Sequence, residues 1–154
     1  MFRILNSFIC IFFLVLGPAF AEILKPNENI IPMKVVKIQL DGLKKNDSGY
    51  KDQGIEQTWE FAHPNNKIFT GPLERFKEML KGDSYKMLLN HKDHKINEIF
   101  SDENVVMFEV IVMDSEKKYH MFKWQVEKYL KSGPLQNCWL TTMVSAAISL
   151  GSSI

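Results

Sequence analysis

Cysteine is scarce in this chain. There are two in 154 residues, Cys10 and Cys138, and the first lies in a leader segment discussed below. A lone thiol cannot close an internal disulfide, so the fold has to stand on an apolar core. Charge of one sign is also lacking. Nineteen Lys and Arg stand against eighteen Asp and Glu, with the lysines scattered among acids. That excludes a polycation shaped for phosphate backbones, and nucleic acid is not an expected partner. Beyond the first two dozen residues no apolar run approaches the ~20 residues of a bilayer span. The chain has no Gly-rich phosphate loop, no serine-nucleophile motif and no metalloprotease signature. No internal repeat is visible. These absences remove the enzyme classes that announce themselves by motif, and no cofactor is expected.

What is present begins with a leader. "MFRILNSFICIFFLVLGPAFA" carries Arg3, an unbroken apolar run from Phe8 to Leu16, a Gly17-Pro18 break and small residues at Ala19 and Ala21. This order predicts a secretory signal peptide over residues 1–21, cleaved before Glu22. Cys10 follows Ile9, not the small residue that lipoprotein processing wants. The alternative is an uncleaved anchor, for which the apolar run is short. Cleavage removes one charge, Arg3, and leaves 133 residues with eighteen charges of each sign. The expected location is therefore exported, periplasmic or secreted (an organelle lumen in a plant or alga), with no membrane attachment after cleavage.

The mature chain divides into a leader arm over 22–31, a single domain over 32–144 and a tail over 145–154. Pro32 suits the first turn of a helix, and Met33, Val36, Leu40 and Leu43 recur on one face of it; a helix is expected over 32–46, its end weakened by Gly42. Asp52 can cap a second helix, with Ile55, Trp59 and Ala62 on its apolar face, stopped at 63 by Pro64. Asn65-Asn66 reads as a turn. Thr70-Gly71-Pro72 restarts a helix over 72–81, with Leu73, Phe76 and Leu80 inward and Gly82 as its stop. Helices this short are marginal alone in water and need a surface to lie on.

Five strands supply that surface: 84–90, 95–100, 104–114, 119–128 and 136–144, separated by turn compositions such as "SDEN", "DSEKK" and "KSGP". Consecutive strands with short turns make an antiparallel meander. Helices first and a sheet afterwards give an α+β fold with the helices packed on one sheet face. In "NVVMFEVIVMD" one face carries Val106, Phe108, Val110 and Val112, and the other Val105, Met107, Glu109, Ile111 and Met113. Both are largely apolar, so the strand is central and covered twice, once by helices and once by a second subunit. A homodimer is expected. In "YHMFKWQVEK" the core or pocket face is His120, Phe122, Trp124 and Val126.

Several ordered blocks together resemble a known family: "VVKIQLDGLKKND", "GIEQTWEFAHPNNKIFTGPLERFKEML", "YKMLLNH", "YHMFKWQVEKY" and "NCWLTTMV". They resemble domain of unknown function 4864, over roughly residues 35–144. His63 stands where the family more often has Ser, and Asn137 where it more often has Gly. The resemblance implies a nuclear transport factor two-like architecture, a curved antiparallel sheet whose helices close a cone. That superfamily hosts enzymes, binding proteins and scaffolds, so the architecture does not decide function.

Each candidate site residue also has a plain structural role. His91 and His94 have a His-x-x-His spacing that two metal ligands can use, but no third ligand is visible and the stretch reads as a solvated turn; no metal is expected. His120 beside Phe122 and Trp124 is a candidate pocket acid/base. Glu109 among apolar neighbours is a candidate general base if its pKa is raised. The plain readings are a core histidine with one hydrogen bond and an exposed or interface glutamate. Cys138 reads as a buried, inert thiol. Trp59, His120, Phe122, Trp124 and Trp139 are the candidate lining of an apolar ligand pocket of a few hundred Å³. Two functions follow. The preferred one is a non-catalytic exported module holding a small apolar ligand or a protein partner. The alternative is a cone-fold enzyme performing proton transfer or dehydration with His120 and Glu109.

Overall fold

The computed structural model describes residues 22–152; the signal-peptide reading falls on residues 1–21, outside that range. Among the described residues, four helices precede a five-stranded antiparallel sheet. The α+β expectation holds, with the sheet open and not closed into a barrel.

Helix α1, Pro32–Lys44, takes proline at its first turn. It buries Val36, Leu40 and Leu43 as the periodicity demands, together with Val35, Ile38 and Gln39. Helix α2, Gln53–Glu60, follows a loop that ends on Asp52 in the left-handed region (φ 66°). Gly54 sits against α1. A Cβ there would run into the Gly42 carbonyl, so the glycine permits the two helices to approach this closely. Gly42 is part of that contact, and the helix ends at Lys44, two residues short of the expected 46. The leader arm is tied down as well. Leu24 N–H donates to Gln57 Oε1 at 2.8 Å, and Gln57 Nε2 returns a bond to the Leu24 carbonyl at 2.9 Å.

The stretch after α2 differs from the expected turn. Pro64–Thr70 is a helix, α3, with His63 as its cap: Asn65 N–H donates to His63 Nδ1 at 3.1 Å. Helix α2 ends at Glu60, short of the 63 expected from Pro64; Pro64 starts the next helix, because a missing N–H costs nothing at the first helical position. Helix α4, Leu73–Lys81, then buries Phe76 and Leu80. Between α2 and α3 the chain touches the sheet. Ala62 forms a parallel bridge with Thr141, with Thr141 N–H donating to the Phe61 carbonyl and His63 N–H to the Thr141 carbonyl, both at 2.8 Å. The elbow is thus a backbone clasp on the edge of the last long strand.

The strand expected at 84–90 is not one. It is a series of turns with one 3-10 turn at Lys86–Leu88. Its apolar residues run consecutively rather than alternating, and Leu88 alone is fully buried. Asn90, at φ 54°, then bonds back to the Leu43 carbonyl at 2.9 Å.

The sheet is β1 (Asp93–Ser101), β2 (Val105–Met113), β3 (Tyr119–Lys128) and β4 (Trp139–Val144), in sequence order. A fifth strand, β5 (Ile148–Gly151), lies in the segment read as a tail; it pairs with the start of β3, beyond the end of β4. Phe108 opposes Trp124, Val110 opposes Phe122, and Val112 opposes His120. These residues face the helices and alternate strictly with half-buried ones. Helix α1 crosses β1, β3 and β4 on that side, and the core lies between them.

Candidate functional site

Two features stand out as candidates: a cavity on the helix side of the sheet and an uncovered apolar surface on the other. The cavity, about 80 Å³, lies where α1, α2, α3, α4 and the turn after α4 meet β3 and β4. It is smaller than the few hundred Å³ expected. Its rear wall is a buried polar network. Gln39 Nε2 donates to the Thr58 carbonyl (3.1 Å), while its Oε1 accepts from Trp124 Nε1 (3.1 Å) and from Thr141 Oγ1 (2.7 Å). Thr58 Oγ1 donates to the Gly54 carbonyl at 2.8 Å. Buried amides and hydroxyls are costly unless satisfied, and here both ends of the Gln39 amide are used. The network ties α1 and α2 to β3 and β4.

Of the five side chains expected to line a pocket, Trp124 borders this cavity. Phe122 is fully buried in the core. His120 shares their face but sits at the far end of β3, where its Nε2 meets Asp114 Oδ2 at 2.7 Å. Trp59 packs on Phe76 with ring centroids 5.0 Å apart, under the Lys67 ammonium. Trp139 lies partly buried beneath the Lys128 ammonium. The aromatic residues are therefore distributed through the fold and do not form one wall.

His120 and Glu109 do not meet. His120 is on the helix side with Val112, while Glu109 is on the other side, paired with Lys123 at 3.4 Å. Successive residues of a strand point to opposite faces, so no small adjustment joins them. The carboxylate that does face His120, Asp114, was not singled out in the sequence. Burial works to raise its pKa, but the Lys118 N–H, the His120 ring and the Glu116 N–H outweigh burial and hold it low. The pair closes the β2–β3 turn.

His91 and His94 depart from the solvated-turn reading. His91 is 2% exposed. Its Nδ1 is 2.7 Å from the Leu88 carbonyl, and its Nε2 is 2.8 Å from His94 Nδ1. A carbonyl only accepts, so His91 carries its proton on Nδ1 and His94 donates to the bare Nε2. Burial depresses both histidines, His91 to about 4. Beyond the pair, His94 Nε2 faces Asp41 at 3.7 Å. Among the described residues no group of three His, Cys, Asp or Glu is placed to hold a metal. Cys138 is buried, and burial, with the Glu28 charge adding to it, raises its pKa.

The second candidate is the sheet face away from the helices. Its residues fall into rows across the strands. Lys95, Ile111, Met121 and Ile148 form one row, Asn97, Glu109 and Lys123 the next, and Phe100, Met107, Gln125 and Met143 a third. Two largely apolar rows flank a polar one. Ile148 and Phe100 are each 49% exposed, and Ile111, Met121 and Met107 are half-buried. No described helix covers this face.

No curated protein matches the chain, and no solved structure does. A family model does match, over residues 26–140, most of the chain. Helices α1 to α4 and strands β1 to β3 fall within that match, which ends one residue short of Thr141, and the chain belongs to the family described as Domain of unknown function (DUF4864).

Proposed function

We propose that the protein is a non-catalytic, protein-binding module whose contact surface is the uncovered sheet face, occupied by a second copy of the chain. The observation that carries this reading is the row pattern. Glu109 and Lys123 are direct cross-strand partners, and so are Ile111 and Met121. A two-fold axis running along the strands midway between β2 and β3 exchanges the two strand positions. It lays Glu109 of one copy over the partner's Lys123, and Ile111 over the partner's Met121. Each row meets its own kind, and the charges meet with opposite sign. An isologous contact requires a surface complementary to itself. Sheets packed face to face use such apolar rows. The separation of His120 from Glu109 by the sheet supports a non-catalytic role, since the only acid/base pair suggested by the sequence cannot act on one substrate.

Light scattering on the protein from residue 22 onward tests this. The expected result is a dimer at tens of micromolar. Ile111→Asp should give a monomer with an unchanged circular dichroism spectrum, because it places a charge on the face and not in the core. Glu109→Lys and Lys123→Glu should each weaken the dimer, and the double exchange should restore it. A wild-type monomer at high micromolar concentration overturns the reading.

A further inference from the structure

We infer that the cavity behind Trp124 is a binding site for a compact, neutral molecule with an aliphatic body and one hydrogen-bonding group. The site lies on the opposite side of the sheet from the contact surface above, and the inference does not depend on that reading.

Three observations set the ligand class. The first is charge. Fourteen residues line the cavity and none is Asp, Glu, Lys, Arg or His. An ion entering it would shed water without meeting a counter-charge, which costs far more than a neutral group pays. The second is shape. The floor is Phe76, Leu80, Leu88 and Trp124, all buried, and it favours aliphatic surface. The third is the polarity left in the lining. Asn66 Nδ2 has one long bond, 3.4 Å to the Thr141 carbonyl, so its amide retains donor capacity. Tyr85 donates its hydroxyl proton to the Val144 carbonyl at 3.2 Å, leaving its lone pairs to accept. A hydroxyl or a primary amide suits such a lining, since it can use either the Asn66 donor or the Tyr85 acceptor.

Size follows from volume. A dry cavity of about 150 Å³ holds one benzene ring. At about 80 Å³ this one suits roughly three or four non-hydrogen atoms on the same scale. Helix α3 buries none of its own residues. It contributes Asn66 and Thr70 to the lining.

The indole N–H of Trp124 reports directly, since it forms part of the wall. Its NMR signal is followed while 1-propanol, 1-butanol, 1-hexanol, propionate and propylammonium are titrated separately. The expected result is a saturable shift, tightest for propanol, with both ions at least ten-fold weaker. Met79→Phe and Val144→Leu each fill the space from its rim. Both should abolish the saturable shift while keeping the dispersed spectrum of a folded protein, and two fillers guard against one that distorts the fold. Affinity rising steadily through hexanol is simple partition onto apolar surface and overturns the inference. So does a non-saturating response to every alcohol, equal binding of the ions, or binding that survives both fillers.

Discussion

Acidification is the perturbation whose effect can be worked out most fully from the structure. His91 is neutral in the fold, its Nδ1 held by the Leu88 carbonyl and its Nε2 by His94. Burial is the main cause of its low pKa, which lies at about 4 against an ordinary 6.5; the Leu88 carbonyl partly opposes the shift, and His94 and Lys44 add to it. The unfolded chain takes up a proton at 6.5 and the folded chain does not until about 4. A depressed pKa of this kind leaves stability intact above pH 6.5 and removes it as pH falls from there toward 4. Between pH 7 and pH 5 the loss from His91 alone is about 2 kcal/mol, and by pH 4 it approaches 3 kcal/mol. His94 is depressed by burial as well and adds to the slope in the same direction. The carboxylates held low by their partners, Asp52, Glu56 and Asp114, lose their contribution mainly below pH 5, so the upper window belongs to the histidines. Urea unfolding at pH 7, 6 and 5 measures it. With a slope of about 1–3 kcal/mol per molar urea, the midpoint should fall by roughly 1 M. His91→Gln should flatten the dependence, whatever it costs at pH 7. A wild-type midpoint unchanged from pH 7 to pH 5 would refute the reasoning.

Two further outcomes are expected. Gly54→Ala places a methyl group against the Gly42 carbonyl; it should cost about 1–3 kcal/mol in urea unfolding, more than Gly82→Ala, where the nearest atom is the Met79 carbonyl at 3.2 Å. Intact-mass measurement of the exported protein should find a chain beginning at Glu22, and a mature protein retaining Phe12 and Phe13 would defeat the leader reading.

The parts of this fold legible in the sequence were those whose signal is local and periodic. Val106, Phe108, Val110 and Val112 alternate with their neighbours, and so do His120, Phe122, Trp124 and Val126; β2 and β3 were readable for that reason. Val36, Leu40 and Leu43 did the same for α1. The segment 84–90 misleads because Tyr85, Met87, Leu88 and Leu89 have strand-like composition without strand-like alternation. Helix α3 was hidden by its length of seven residues and by an Asn pair that usually marks turns. The burial of His91 depends on helix α1, whose Leu43 carbonyl fixes the adjoining Asn90, and nothing in "HKDH" announces it. The Gln39 network was the least accessible part. Gln39 and Thr141 are 102 residues apart, and a lone glutamine on an apolar helix stripe gives no indication of its partner.

The clasp between the elbow and Thr141 also bears on how copies of this protein can aggregate. A sheet with two bare margins can polymerise without limit, each copy adding to the next. Here the β4 margin is clasped at Thr141 by the chain's own Phe61 and His63 backbone, and β5 beside it spans only four residues. The nine-residue margin of β1 remains as the long free one among the described residues. Joining through β1 pairs two copies isologously and uses up both of their long margins, so that contact offers no further strand edge. A variant that lifts the elbow from β4 would bare a second margin, onto which β1 of another copy can add head to tail without limit.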